Sequence, residues 1–584
     1  MPKIMLVFDT EANIDDTDDG GQRHSLRFGY VQFLRYRPNE PIYEPAPQRF
    51  ETVEELYEII EHYTHQGSKL YCFAHNLGYD WSLTGLTSQF IADGWETHSI
   101  MDRKYTTVIR YSRGGHKVEM IDTLNYWKMP LAQIAKNYGL EKGTIDFRYN
   151  DQKEADDYCK NDVYILTEAL KDRRHWLLKN NYGAFKATNP SQALAIFKQK
   201  YLKEPILTNQ GEHQKELERR SYYGGRTEAA YIGFYRGKVW ALDINSAYPS
   251  VMRGNKYPVE YCREIRHPTI EDLRNDNDKQ CYFAQVTIDS SKETYPYRDN
   301  ERLLFAIGQF KTWLCEPEIK LALERGNIAE VDRLFMYKAR PLFTEYVNDL
   351  YRKRRAAIQD DNTAEELSYK LLLNSLYGKF GENRKEWTPV NVNNGAPDGV
   401  KWEADGDKRQ IYKIINYRGL KYKYVTKSSA THSFPLIAAF TTSYLRASIA
   451  ETMDRAGPQH WLYCDTDSLY VDSVGLGRLN GLIDPDKLGK WKIEGMSIGM
   501  EIRGLKDYIF GNTERIKGVS KDAKKVDENT YQMMHWQTMH ETICDDLHGS
   551  VKLTPIVKKL ERRYHKGIVT DSGWVEPIEI QEFN

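Results

Sequence analysis

The stretch that most constrains this chain is WLYCDTDSLY, residues 461–470. Asp465 and Asp467 stand two residues apart with apolar residues on both sides, which reads as a buried hairpin with acids at its tip. Two like charges in an apolar setting repel and lose hydration, so such a tip calls for a cation. A core able to bury it is available, because 584 residues correspond to about three to five domains. With 28% charged and 40% apolar residues, the chain is not disordered throughout. No apolar run approaches the ~20 residues of a membrane span; the best, around 434–440, is far shorter. The opening MPKIMLVFDTEAN lacks a signal-peptide pattern. Seven cysteines without a CxxC pair argue against a disulfide framework and a zinc ribbon. A soluble, cytoplasmic, multi-domain protein with no membrane partner is expected.

Lys and Arg number 82 against 83 Asp and Glu, a net charge of −1. Any contact with nucleic acid must therefore rest on local positive charge. Basic runs occur at 352–355, 558–559 and 562–563, though each alone also reads as a solvated helix face. The 41 tyrosines suit channels in which rings stack and hydrogen-bond.

Along the chain no internal repeat is found. Strand patterns at 4–9, 70–74 and 118–122 alternate with helix patterns at 53–65 and 154–170, predicting an α/β unit that ends near residue 190. A second set of apolar strands begins at 238–243. A helix is predicted over 365–380, a polar hairpin or loop insertion at 391–409, and strands at 461–471 and 507–510.

Asp9 and Glu11 sit at i and i+2 of the first strand (LVFDTE) and so face one side. Asp80 follows the second strand in HNLGYDWS, where a loop is expected. Asp162 lies on the helix ADDYCKNDVYILTEAL with Tyr158 one turn earlier on the same face. Singly, each acid reads as an ordinary surface charge. Gathered from strand, loop and helix, the four could hold two divalent cations about 3.5–4 Å apart, an arrangement for water attack on a phosphodiester with Tyr158 positioning the water.

A second constellation begins at VWALDINSAYPSVM. Asp243 ends a strand and is followed by a turn, containing Ser246 and Ala247 and closed by Pro249, whose N–H groups can face a triphosphate; a plain strand-end cap is the alternative. Tyr248 would lie beneath an incoming sugar and leave no room for a 2′-hydroxyl. With Asp465 and Asp467, Asp243 would form a two-metal site for in-line phosphoryl transfer. In LSYKLLLNSLYGKF, Lys370, Asn374 and Tyr377 fall at i, i+4 and i+7, giving one helix face a cation for a triphosphate and a ring for a nascent base pair. In GLKDYIF, Lys506 and Tyr508 are expected to share a strand face and grip primer phosphates.

In order, FDTE, HNLGYD and YCKND resemble the three exonuclease motifs of the RNase H-like (DnaQ-like) proofreading domain of family B DNA polymerases. DINSAYP, KLLLNSLYG, YCDTDS and KDY resemble motifs A, B, C and KxY of the same family. SYYGGR resembles the YxGG segment that couples the two activities. The protein-primed, phage phi-29 type branch is the most similar: the exonuclease motifs begin almost at residue 1, the chain is compact, YxGG is present, and LGKW occurs at 488–491. The resemblance implies an α/β exonuclease domain joined to an α+β right-hand polymerase domain with palm, fingers, thumb and two family-specific insertions.

Residue by residue, the resemblance makes Asp9, Glu11, Asp80 and Asp162 metal ligands at one site, and Asp243, Asp465 and Asp467 at the other, each with two Mg²⁺ or Mn²⁺. It gives Lys142 and Tyr158 supporting catalytic roles. Asn76, Tyr79, Thr123 and Leu124 would touch a single-stranded end, while Tyr222, Gly224, Gly225, Arg226, Lys506 and Tyr508 would touch DNA. Ser246, Ala247, Tyr248, Lys370, Asn374 and Tyr377 would bind the nucleotide. The implied division is exonuclease 1–190, palm 191–255, first insertion 256–345, fingers 346–380, second insertion 381–433, palm 434–536 and thumb 537–584. Three departures stand out. The 91 positions between Asn374 and Asp465 exceed the expectation for close relatives, so the second insertion is enlarged. Phe147 stands where a tyrosine is expected, and Glu366 where a basic residue is expected.

The expectation is a monomeric DNA polymerase with a 3′→5′ exonuclease, acting on primer–template DNA and dNTPs. It would copy a viral or linear-plasmid genome from a terminal protein, processively and with strand displacement, in the host cytoplasm. Two alternatives stay open: a polymerase that extends nucleic-acid primers or starts unaided, and a metal-dependent nuclease or DNA-binding module with an inactive polymerase half.

Overall fold

The computed structural model describes residues 1–103, 106–145, 151–207, 211–274, 277–300, 302–383, 385–390, 397, 399–405, 410–417, 420–426, 433–544 and 549–581. Phe147 and much of 391–409 lie outside the described residues. Among those described, no helix is long and apolar enough to cross a membrane.

The first strand, Ile4–Asp16, outlasts its apolar half because it continues as a hairpin with Gln22–Arg35, with a bulge directly after Glu11. It runs parallel to Lys69–Ala74, which runs parallel to His116–Asp122. On one face of this sheet the helix Gln152–Lys179 packs Cys159, Val163, Leu166 and Leu170 against Met5, Val7 and Phe73. The helix starts at Asp151, whose carboxylate accepts the Glu154 N–H at 2.8 Å, an N-cap. It passes the expected end at 170 because Arg173 is itself buried, 4.1 Å from the Tyr126 ring centre and bonded to Asn189 at 3.0 Å. Leu56, Ile60, Trp81 and Phe90 cover the other face.

This sheet grows from both edges into 14 strands. At one edge Trp387 pairs with Ile100, and Lys385–Val390 brings three more strands of the second insertion. At the other edge residues 22–25 pair with Ser550–Lys559, which forms a hairpin with Thr530–Trp536.

A separate seven-stranded sheet is centred on Gly233–Ile244, flanked by Trp491–Gly504 and by Ser468–Asp472. The helix Pro435–Ala456 packs Leu445, Ile449 and Met453 against Leu242, Leu469 and Val471. Two helices, Thr344–Gln359 and Thr363–Phe380, form a helical hairpin in which Asn362 caps the second by accepting the Glu365 N–H at 3.0 Å. Lys256–Ile265, Ile328–Pro341, Gln280–Ser290 and Ile307–Cys315 make a five-stranded sheet, completed by Glu579–Gln581 from the far end of the chain. An α/β unit followed by an α+β unit with two inserted β modules is the architecture expected above.

Candidate active sites

Asp9, Glu11, Asp80 and Asp162 converge beside the bulge in the middle of the first strand. Asp80 is not on a loop: HNLGYDWS winds into the helix Leu77–Thr84 after Asn76 turns the chain with a left-handed φ of 67°. Thr10 donates to Asp80 at 2.6 Å. Burial raises the pKa of Asp9 well above the usual carboxylate range, and Asp80, Asp162 and Glu11 raise it further. Burial, then Asp162, pushes Glu11 up to about 8, while burial raises Asp80 to about 7. Lys142 is ion-paired with Asp162 and lies 4.4 Å from the Tyr158 ring centre. Burial opposes its charge, but Asp162 outweighs that and raises its pKa.

These acids fit divalent cations. Oxygens of Asp9 and Glu11 and the Cys159 sulfur lie within 4.8 Å of one another. Asp162 Oδ1 is buried with no hydrogen-bond partner among the described residues. A set of hard oxygen donors that repel one another suits Mg²⁺ or Mn²⁺.

The raised values predict a pH-dependent metal effect. A carboxyl group whose folded pKa exceeds its unfolded one stabilises the fold fully only below the unfolded value, and that stability fades as pH climbs through the folded value. For Glu11 and Asp80 the fading runs from the ordinary range near 4 to about 7–8. Cations take over the role of the protons. Mg²⁺ should therefore raise the melting temperature more at about pH 8 than at about pH 5, by on the order of 2 °C, as read by differential scanning calorimetry.

At the second site the hairpin is present: Trp461–Asp465 pairs with Ser468–Asp472, and Thr466 turns it with a φ of 65°. Asp243 lies opposite Ser468 on the neighbouring strand. Burial and then Asp467 push Asp243 up to about 6; burial also raises Asp467. Asp465 accepts from Thr227 at 3.0 Å and faces Lys506 Nζ at 3.2 Å, while Lys492 Nζ stands 3.7 Å from Asp243. Three acids from adjacent strand ends, countered by two lysines, again fit a divalent-cation site.

Tyr248 and Tyr377 stack with ring centres 4.2 Å apart, so motif A and the helix Thr363–Phe380 meet at the acids. Lys370 and Asn374 are exposed on that helix. Ser246 is the left-handed turn residue at φ 51°, and Ala247 opens the short helix Ala247–Gly254. Pro249 sits within the first turn of that helix and does not close the preceding turn. Glu366, where a base was expected, takes two hydrogen bonds from Arg354 at 2.8 and 3.1 Å, and Arg354 also reaches Ser246 at 3.2 Å. The positive charge at this point thus comes from the neighbouring helix.

The segment Tyr222–Arg226 lies against the hairpin tip, and Gly225 has no room for a side chain: an added Cβ would meet Thr466 at 2.7 Å. The Thr466 N–H donates to the Arg226 carbonyl at 2.7 Å. Buried Arg446 ties down the same segment through the carbonyls of Tyr223 and Gly224 at 3.1 and 2.9 Å, held in turn by Glu318. Gly225→Ala should destabilise by about 1–3 kcal/mol and reduce nucleotide addition more than nuclease activity, checked by denaturant melts and paired rate assays.

Four of the residues expected to touch DNA are placed differently from that expectation. Lys506 lies in a turn at φ 61°, outside the strand Asp507–Phe510, so it does not share a strand face with Tyr508. Tyr508 is buried, its hydroxyl 3.1 Å from that of Tyr470. Arg226 is buried and paired with Glu228 at 2.6 Å, which removes it from a DNA-facing surface. Thr123 is fully buried, its hydroxyl near His75 at 2.9 Å and the Ala74 carbonyl at 3.2 Å. Asn76 is exposed, while Tyr79, Leu124 and Tyr222 are half-buried.

Sequence reasoning missed Thr10, Asp122, Thr227, Glu318, Arg446 and Lys492, and it noted Arg354 only within the basic run 352–355, without a role. Asp122 holds the loop beside the first site by accepting the N–H groups of Asn76 and Leu124 at 3.0 and 2.8 Å. Arg446 left a usable signal as the single charge in the run PLIAAFTTSYLRASIA, and Arg354 left one as a member of the basic run 352–355.

A family model described as DNA polymerase type B, organellar and viral, matches residues 123–456, more than half of the chain. The DNA-directed DNA polymerase of Enterobacteria phage PRD1 is 24% identical over 430 residues, covering 72% of this chain and 71% of that one. The DNA polymerase of Bacillus phage phi29 is 26% identical over 467 residues, covering 74% of each. The solved structure of phi29 DNA polymerase complexed with primer-template DNA superposes with a TM-score of 0.69 at 18% identity, over 96% of this chain and all of that one. The fold is thus that of an exonuclease domain joined to a right-hand polymerase. The chain belongs to the type B DNA polymerases of organelles and viruses.

Proposed function

We propose that the chain extends a DNA primer at the Asp243–Asp465–Asp467 centre and trims unpaired 3′ ends at the Asp9–Glu11–Asp80–Asp162 centre. The observation that carries this reading is the convergence, in one chain, of two separate sets of half-buried to buried acids, one gathered from the first strand and two helices and the other from neighbouring strand ends, with burial and repulsion between neighbours raising the pKa of Asp9, Glu11, Asp243 and Asp467. Two Mg²⁺ or Mn²⁺ at each centre would lower the pKa of the attacking hydroxyl or water and neutralise the leaving group. The remaining work falls to the protein. Lys370 and Arg354 meet the triphosphate, Tyr248 and Tyr377 bound the nascent pair, and the turn at Ser246–Ala247 offers N–H groups to phosphate oxygens. At the other centre Tyr158, beside Lys142, orients the attacking water, while Asn76, Tyr79 and Leu124 hold the strand end.

The path of the template is supported by a cavity of about 990 Å³ between the first unit and the helix Thr363–Phe380, whose wall includes Lys69, Arg110, Lys128, Lys186, Lys198 and Lys379. Glu119 and Glu382 also line it, pairing with Lys69, Arg110 and Lys379, which leaves a net positive wall that suits a phosphate backbone. The domain division given above applies with one change. The thumb is taken from about residue 524, because 524–525, Thr530–Trp536 and Ser550–Lys559 pair consecutively and a boundary at 537 would cut that hairpin. Initiation from a terminal protein, strand displacement through the enlarged second insertion, a monomeric state and action in a host cytoplasm complete the proposal, by likeness to the phage relatives.

A 5′-labelled primer on a template with a downstream blocking strand, in Mg²⁺, tests the reading. Growth through the block with dNTPs and shortening without them are expected; shortening under both conditions overturns it in favour of a nuclease. For priming, radiolabelled dNTP with a candidate terminal protein should give a covalent protein–nucleotide adduct. Extension of nucleic-acid primers without any adduct would leave the polymerase and remove the protein primer.

A further inference from the structure

Behind the Asp465 hairpin, the last segment of the chain closes over the strand Thr227–Ala229. This strand is only three residues long and forms the edge of the seven-stranded sheet. One side of it pairs with the hairpin, Thr227 opposite Asp465 and Ala229 opposite Tyr463. A short edge strand has few ladder bonds of its own, so its position depends on what covers its free side. Here that cover is the chain's own tail. Tyr564 accepts the Ala229 N–H at 3.0 Å, Lys566 Nζ donates to the Thr227 carbonyl at 3.0 Å, and the Val575 N–H donates to the Ala230 carbonyl at 2.8 Å. Trp574 sits edge-on to Tyr231, ring centres 5.3 Å apart.

The strand so fixed carries the Thr227 hydroxyl, which donates to Asp465 Oδ1 at 3.0 Å. Two hydrogen bonds and one residue therefore link the Lys566 ammonium to a carboxylate of the polymerase centre. Burial works against the charge on Lys566, and Glu228 is the largest influence sustaining it. Glu228 is also paired with Arg226, whose second terminal nitrogen is buried without a hydrogen-bond partner among the described residues. A half-buried ammonium directed at a backbone carbonyl, with the buried Glu228 carboxylate close by, is a costly arrangement for surface adhesion alone.

We propose that Lys566, aided by Tyr564, is a positioning residue for the polymerase centre: it fixes Thr227, and through Thr227 the orientation of the Asp465 carboxylate toward a divalent cation. This rests on reading the three acids as a metal-dependent polymerase centre.

The test measures Mn²⁺ binding by electron paramagnetic resonance in full-length protein with the exonuclease acids neutralised by Asp9→Asn and Glu11→Gln. Lys566→Met should weaken Mn²⁺ binding about 10- to 100-fold, the usual range for groups that orient metal ligands. Thr227→Val should give a similar loss, and the double variant no more than either single one, since both act on one path. With Asp9 and Glu11 intact, Lys566→Met should leave the exonuclease rate unchanged. Should Lys566→Met fail to fold, Tyr564→Phe, which keeps the ring and removes the acceptor of the Ala229 N–H, should still weaken binding several-fold. Unchanged Mn²⁺ affinity, additive losses with Thr227→Val, or a parallel loss of exonuclease activity would each overturn the proposal and leave Lys566 a fold-stabilising residue. A parent protein that extends no primer would instead overturn the polymerase reading itself.

Discussion

Replacing Asp467 by asparagine should abolish primer extension, by about 10³-fold or more, while 3′-end trimming continues at the rate of the unaltered chain. The expected size follows from geometry. After burial, Asp467 is the largest influence on Asp243, so the two carboxylates address the same space, and charge they neutralise in the transition state amounts to several kcal/mol. Asparagine keeps the volume and the hairpin turn, whose Asp467 N–H to Asp465 carbonyl bond of 2.8 Å is backbone only. Loss of extension therefore reports chemistry and not folding. Single-nucleotide addition and degradation of a labelled single strand, measured on one preparation, separate the two activities. Loss of both would mean that the two centres do not act independently.

The converse change has a second, opposite signature. Asp9→Asn should reduce exonuclease activity by about 10³-fold and spare extension. In the absence of metal it should also raise the melting temperature, by roughly 2–4 °C near pH 8, because it removes a carboxyl group whose ionisation is opposed by burial and by three neighbouring acids. Asp80, Asp162 and Glu11 all raise the pKa of Asp9, so without a cation its ionised form opposes folding. Adding Mg²⁺ should narrow the gap, since the unaltered chain gains the cation and the variant gains less of it. A variant less stable than the parent in chelator would contradict the electrostatic account of this site.

The residues proposed to carry the chemistry were legible because each motif is a local string: acids two residues apart on a strand or hairpin, or one helical face with a cation, an amide and a ring. Asp9 with Glu11, Asp465 with Asp467, and Lys370 with Asn374 and Tyr377 are all set by periods of two or 3.6 residues. What failed was continuation of a period through a turn. Lys506 precedes its strand in a left-handed conformation, so the alternation that placed it beside Tyr508 did not apply. Asp80 was placed on a loop because HNLG reads as a breaker, yet the left-handed Asn76 lets the helix begin at once.

The other gaps are long-range. Arg446 and Glu318 are 128 positions apart, Asp465 and Thr227 are 238 apart, and Lys566 and Thr227 are 339 apart. No period connects such pairs. The joining of the second insertion to the first sheet through Trp387 and Ile100 is likewise an edge pairing that either strand could have made with another partner. Where Glu366 departs from the expected base, the compensation by Arg354 lies on a different helix, and only packing reveals it.

The most direct test of two distinct metal centres is anomalous diffraction from crystals grown with Mn²⁺ and primer–template DNA. Manganese peaks are expected at the Asp243–Asp465–Asp467 cluster and, separately, at the Asp9–Glu11–Asp80–Asp162 cluster, with paired peaks about 3.5–4 Å apart where both positions fill. Manganese at one cluster alone, with the other set of acids well ordered and empty, would contradict the account.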